Sequence, residues 1–312
     1  DHKITIDSDD VLKLDTVPKR LVVLGAGAVG TEFASIFHRF GSQVTLVELM
    51  PHVLPIEDEE ISEALGKALK KQGINVLTDT RVEAVKRSNG TAKLTAKTGD
   101  GDAIEITADK VLVATGRRPL TDSIGLENTR ITTLKGGFIE VDGYMQTAEP
   151  GVYAVGDIIP TAMLAHLGSH EGILAVDSIL ERNPTPINAD RVPNCTYSDP
   201  EVASVGLTER EARNRGYDIK SATFPFTANG KAKILGEPTG FIKLVAESKY
   251  DELLGVHIIG PKATELIAES VVALNLEVTT EELTHSIHPH PTLSEAMGEA
   301  AHALHLGQPI HF

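Results

Sequence analysis

The run Gly25-Ala26-Gly27-Ala28-Val29-Gly30 follows the apolar stretch Leu21-Val22-Val23-Leu24 and opens a segment with helical periodicity. That order suits a dinucleotide. Gly25 permits a tight turn, Gly27 lets the backbone approach a pyrophosphate, and Gly30 lets helix and strand pack closely. The helix N-terminus then turns backbone N–H groups toward the phosphates. Glu48 ends the second expected strand, where a carboxylate can accept hydrogen bonds from a ribose diol. The same carboxylate repels a 2′-phosphate, and Leu49-Met50-Pro51 supplies no arginine to neutralise one, so NAD is expected rather than NADP.

A second group of chemical interest lies near the C-terminal end. His290 stands between Pro289 and Pro291, in a rigid segment ahead of a helix whose first turn carries Glu295. A carboxylate beside an imidazole fixes its tautomer and raises its basicity, as in general acid–base pairs. Thr292-Leu293-Ser294-Glu295 also reads as a helix capping box, and residues 208–211 and 279–282 repeat that pattern. Both readings of Glu295 stand at this level. Gly156-Asp157 reads as a strand-end cap, and Met163-Leu164-Ala165-His166 as packing at a helix start. Cys195 is the only cysteine and reads as a small buried apolar side chain.

The elements that position these residues follow from periodicity. Continuous apolar runs at 21–24 and 111–114 predict buried strands, and residues 44–47 a further parallel strand, with helices over 29–40 and 61–72 between them. This is an α/β, Rossmann-like parallel sheet. Residues 82–107 alternate instead, with turns at Ser88-Asn89-Gly90 and Gly99-Asp100-Gly101, which predicts an inserted antiparallel β-meander. Residues 152–155 predict another strand and 166–181 a helix. The last third reads as α+β, with strands at 241–246 and 253–259 and helices over 264–274 and 294–306. The boundaries expected are a polar lead-in over 1–18, a nucleotide-binding domain over 19–118, a central region over 119–190 and a last domain over 191–312.

At 312 residues there is room for several cores, and 41% hydrophobic with 23% charged residues is ordinary for a globular chain. A net charge of −15 argues against nucleic acid or an anionic membrane as partner. A single cysteine fits a reducing, cytoplasmic setting. No metal-ligand cluster stands out.

Five motifs together resemble the flavoprotein pyridine nucleotide-disulfide oxidoreductases, and within them a lipoamide-oxidising branch. They are residues 25–30 with Glu48, Ala114-Thr115-Gly116-Arg117-Arg118-Pro119, Ala154-Val155-Gly156-Asp157, Met163-Leu164-Ala165-His166, and residues 288–295. The resemblance covers essentially the whole chain. It implies NAD contacts at Gly25, Ala26, Gly27, Ala28, Val29, Gly30, Glu48, Val82 and Gly116, and FAD contacts at Asp157, Met163, Leu164, Ala165 and His166. It makes the central region a remnant of an FAD domain and the last one a dimerisation domain. It implies a homodimer working with the lipoyl-bearing protein of a 2-oxo acid dehydrogenase or related complex. It assigns His290, with Glu295, as acid/base toward a dithiol, and His288 as a mark of the lipoamide branch rather than of glutathione or mercuric reductases.

That family also needs a Cys-x₄-Cys pair and a second glycine-rich motif for the ADP half of FAD, and neither occurs in these residues. The chain therefore resembles the C-terminal two-thirds of such an enzyme, expected to bind NAD(H) without turnover of its own. The alternatives are another flavin disulfide reductase, or a stand-alone module that binds NAD and dimerises.

Overall fold

In a computed structural model of the chain, residues 1–115 and 193–312 form one compact unit, and residues 116–192 form a second. The structure describes residues 1–88 and 90–311; Asn89, the centre of an expected turn, and Phe312 lie outside the described residues.

The nucleotide half of the first unit runs β1 (Thr5–Ile6), α1 (Ser8–Val11), β2 (Arg20–Leu24), α2 (Ala28–Arg39), β3 (Gln43–Val47), α3 (Glu59–Gln72), β4 (Asn75–Leu77), β5 (Thr80–Ser88), β6 (Thr91–Thr98), β7 (Ala103–Ala108) and β8 (Lys110–Val113). Five strands make a parallel sheet in the order β1-β8-β2-β3-β4, and β5, β6 and β7 make a separate antiparallel sheet. The lead-in is thus partly built into the fold. Residues 5–6 pair with β8, and an Asp7–Asp10 capping box starts α1.

Why β2 carries so many apolar residues is visible in its two faces. Leu21 and Val23 join the layer of Ala34, Phe37, Leu65 and Leu69 under α2 and α3, while Val22 meets Ala92, Leu94 and Ala108 of the meander. The sheet is covered on both sides, as a parallel sheet requires. In β6 the inward Ala92, Leu94 and Ala96 alternate with the outward Lys93 and Lys97, the two-residue period of a half-buried strand.

The other half of this unit runs β9 (Asn194–Thr196), β10 (Glu201–Gly206), α5 (Glu209–Asn214), β11 (Ile219–Pro225), α6 (Gly230–Leu235), β12 (Phe241–Glu247), β13 (Leu253–Gly260), α7 (Ala263–Asn275), α8 (Thr280–His285) and α9 (Glu295–Leu306). Its strands form an antiparallel sheet, β11-β12-β13-β10-β9, with Phe224, Ile242, Val256, Ile267 and Met297 in the core. Val202 and Ile259 reach into the apolar layer under α2 and α3, so the two halves share a core. No helix among the described residues is long and apolar enough to cross a membrane.

The second unit is built around one helix, α4 (Ala165–Ile179), and a core of Ile139, Met145, Ala154, Ile159, Leu174 and Ala175. The strand expected at 152–155 does not form: Tyr153 makes a single bridge to Gln146, and residues 156–158 are a short 3₁₀ turn. The apolar side chains are in place, but among the described residues no neighbouring ladder completes the backbone hydrogen bonds that define a strand.

Glycines 27 and 30 separate fold from function. A Cβ at Gly30 would overlap the carbonyl oxygen of Gly25, whereas at Gly27 it meets nothing within 4 Å. Gly30→Ala is therefore expected to destabilise by about 1–3 kcal/mol, and Gly27→Ala by under about 1 kcal/mol. Denaturant unfolding of the two variants checks the contrast.

Candidate functional site

The glycine loop lies at the C-terminal end of β2, between the ends of β3 and β8. Gly25 donates its amide to Val47 O at 2.8 Å, and its φ of 97° is one that glycine adopts without strain. A Cβ there would stand 2.5 Å from Ala114 O. Gly27 is the N-cap of α2 and makes no side-chain cap, and the helix has no acidic residue in its first turn. The opening amides of α2 therefore carry their partial positive charge with no anion of the helix's own to meet it.

Ala26 is gripped on both of its backbone groups. Its amide donates to Glu48 Oε2 at 2.6 Å, and its carbonyl accepts from Leu54 N at 2.8 Å and from Thr31 Oγ1 at 3.1 Å. The other Glu48 oxygen accepts from Met50 N at 2.9 Å, and the side chain is buried. The carboxylate read from the sequence as a ribose contact is thus also the support of the glycine loop. It retains acceptor capacity, since a carboxylate offers about four lone-pair sites. Leu54, which no sequence pattern marked, holds the loop from the other side in a left-handed conformation, φ 47°.

Of the remaining residues assigned to NAD, Ala28 and Val29 are the first two residues of α2. Val82 pairs with Ala96 in the meander and packs toward Val22, Val47 and Val111. Gly116 begins the second unit with φ 131° and open space where a Cβ would sit.

Within the second unit, Asp157 is exposed on the 3₁₀ turn Gly156–Ile158. The turn is held by a residue missed in the sequence. Glu171, 1% exposed, accepts from Gly156 N and from Thr161 Oγ1, both at 2.7 Å. Gly168 lets the helix come close to the turn, since a Cβ there would lie 3.3 Å from Gly156 Cα. Met163 and Leu164 are half-buried, and Ala165 and His166 are exposed, at the start of that helix. Asp157 and residues 163–166 are therefore brought to neighbouring positions by one buried carboxylate and one small residue.

The histidine segment resolves the two readings of Glu295. His290 Nδ1 lies 2.8 Å from Glu295 Oε1, while Glu295 Oε2 accepts from Thr292 N at 2.7 Å. The same carboxylate serves the imidazole and the turn. The capping box is only half formed, because Ser294 is the N-cap of α9 and Thr292 Oγ1 donates to Pro289 O. At 208–211 and 279–282 the boxes are complete. Burial works against the Glu295 charge, yet the Thr292 amide and His290 hold its carboxyl below the usual range. His290 itself is exposed, 78% at the side chain.

His288 is placed differently. Its Nε2 pairs with Glu269 Oε1 of α7 at 2.8 Å, which raises its pKa despite burial, and Gly298 of α9 leaves the room that the ring occupies. Asn229, buried, donates to Thr292 O at 3.0 Å and pins the segment from below. Cys195 is half-buried, and burial, followed by Glu57, Glu201 and Glu265, pushes its thiol up to about 11, far from thiolate chemistry.

The pyridine nucleotide-disulphide oxidoreductase family model matches residues 1–172, and the dimerisation domain model of the same family matches residues 192–301. The dihydrolipoyl dehydrogenase of Bacillus subtilis is 44% identical over 100% of this chain, and that of Thermus scotoductus 46% identical over 98%; in each the match covers 66% of the relative. The chain therefore spans just under two thirds of the length of these relatives. Among solved structures, LpdA of Mycobacterium tuberculosis superposes with a TM-score of 0.87 at 28% identity, over 97% of this chain and 65% of that one. The HOCl-induced flavoprotein disulfide reductase RclA of Escherichia coli does so with 0.86 at 27%, over 95% and 67%. With more than half of its length matched by one family model and its last third by the companion domain, the chain belongs to the pyridine nucleotide-disulphide oxidoreductase family.

Proposed function

We propose that this chain forms the NAD-binding and interface part of a dihydrolipoyl dehydrogenase, which oxidises protein-bound dihydrolipoamide to lipoamide and passes the electrons through FAD to NAD⁺. The observation that carries the reading is the glycine loop, with Gly27 open to a ligand at the uncapped start of α2 and Ala26 held rigid behind it. Those amides bind the pyrophosphate, residues 25–30 cradle it, and Glu48 meets the adenosine ribose with its remaining lone pairs. Val82 is proposed to border the same nucleotide.

Asp157 and residues 163–166 fit the flavin side, since an exposed carboxylate on a turn clamped by Glu171 is a preorganised acceptor for ribityl hydroxyls. When bound, FAD supplies the two-electron relay between dithiol and nicotinamide. The residues of this chain do the proton work. With Nδ1 donating to Glu295, His290 presents Nε2 as the nitrogen that takes a proton from a dithiol and returns it. The dithiol itself must come from outside these residues, which hold one cysteine. We propose accordingly that the chain alone binds NAD(H) but does not turn over lipoamide, that it pairs as a homodimer through residues 191–312, and that a lipoyl-bearing protein is its partner in the cytoplasm.

Reduced nicotinamide is excited at wavelengths where protein side chains do not absorb, so its fluorescence reports binding directly. Titration is expected to show saturable NADH binding, with NADPH weaker by at least roughly tenfold; equal affinities would remove Glu48 as the reader of the ribose. In the longer protein that carries the dithiol, His290→Ala is expected to slow dihydrolipoamide oxidation on the order of 10²–10⁴-fold, and a parental rate would leave this segment a structural role only. Glu295 has a folded pKa below its ordinary value near 4.5. It therefore contributes stability above that value and loses it as the pH falls through the folded one. Unfolding of Glu295→Gln across pH should show a deficit near neutrality that closes in acid.

A further inference from the structure

Lys243 rises from the middle of β12, and its side chain is 3% exposed. Its Nζ donates to Asp58 Oδ1 at 2.8 Å and to Glu60 Oε1 at 3.0 Å, and it pairs with Glu209 Oε1 at 3.0 Å. Two of these three carboxylates belong to the start of α3 in the nucleotide half, where Asp58 is the N-cap. Next to them Glu57, also buried, accepts from Asn194 Nδ2 of β9 at 2.6 Å. A buried ion cluster of this kind contributes little net stability, because desolvation offsets most of the Coulombic gain. What it does supply is position.

The position is transmitted over a few residues. Glu57 N donates to Leu54 O at 2.9 Å, and Ser62 Oγ of α3 donates to the same oxygen at 2.9 Å. Leu54 N in turn holds Ala26 O in the glycine loop. From Lys243 the path passes by ion pair to Asp58, by the amide of Ser62 on Asp58 O at 3.0 Å and its hydroxyl on Leu54 O, and from Leu54 N to the peptide that carries the phosphate-facing turn. α3 itself is anchored independently by Ile61, Leu65 and Leu69, each with no exposed surface. Loss of the cation should therefore act on residues 54–60 rather than on the sheet or the helix.

We infer that Lys243 is a positioning residue for the dinucleotide site: the C-terminal half holds the glycine loop in its binding geometry through the Lys243–Asp58–Leu54 path. This rests on the reading of residues 25–30 as an NAD(H) site. Groups that orient a binding shell without touching the ligand tune its affinity through geometry alone.

The test uses the full chain and two readouts. Lys243→Met is expected to bind NADH roughly tenfold more weakly, about the loss of one charge-assisted hydrogen bond. It should also speed amide hydrogen exchange at Leu54 and Ala26 while leaving Leu94 of β6 unchanged. If that variant does not fold, Lys243→Met combined with Asp58→Asn removes the stranded carboxylate and is read the same way. Unchanged exchange at Leu54 and Ala26 in a folded variant overturns the inference, as does parental NADH affinity. Should the parent chain itself fail to bind NADH, the dinucleotide reading falls, and the exchange at Leu54 and Ala26 alone decides whether Lys243 holds the loop.

Discussion

One peptide group organises the nucleotide end of this molecule. Ala26 has its N–H on a buried carboxylate and its C=O on Leu54 N–H and Thr31 Oγ1, so the loop between β2 and α2 has little freedom to relax. The consequences spread outward. Gly25 must turn, Gly30 must leave room for the Gly25 carbonyl, and Gly27 alone is left facing open space. Rigidity of this sort is what lets weakly charged backbone amides bind an anion, since their partial charges act together only when their directions are fixed.

The same economy of side chains recurs at the other sites. Glu48 supports a loop and retains capacity for a ribose. Glu295 caps a turn through Thr292 and orients His290, and Glu171 holds the Gly156–Ile158 turn beside Asp157. In each case a buried or half-buried carboxylate accepts from two donors, which is the condition under which a carboxylate can leave water without a large penalty. On the proposed reading, each of these carboxylates would serve the fold and the chemistry at once.

Much of this was legible in the sequence. Continuous apolar runs at 21–24 and 111–114 placed two of the parallel strands, because a strand covered on both faces favours apolar residues at successive positions. Alternation across 82–107 placed the meander. The His290–Glu295 pair was visible from spacing, although only the fold separates it from a capping box, since both uses require Glu at the same offset. Residues 152–155 show the converse. They read as a strand because strand pattern reports burial, but a strand also needs a paired neighbour, which no local pattern reports. Leu54, Glu171 and the Asp58–Lys243 pair left no readable signal. Lys243 lies 185 residues from Asp58, and an outward-looking lysine in a strand is indistinguishable in sequence from a buried one.

On the proposed reading, the loop at 25–30 receives the pyrophosphate of NAD(H). Residue-resolved amide exchange of the chain with and without saturating NADH tests it most directly. Slowed exchange is expected at Gly27, Ala28 and Val29, the amides left uncapped at the start of α2, with Ala26 already protected in both states. Unchanged exchange across those three amides, with protection located at residues 156–166 instead, would contradict it.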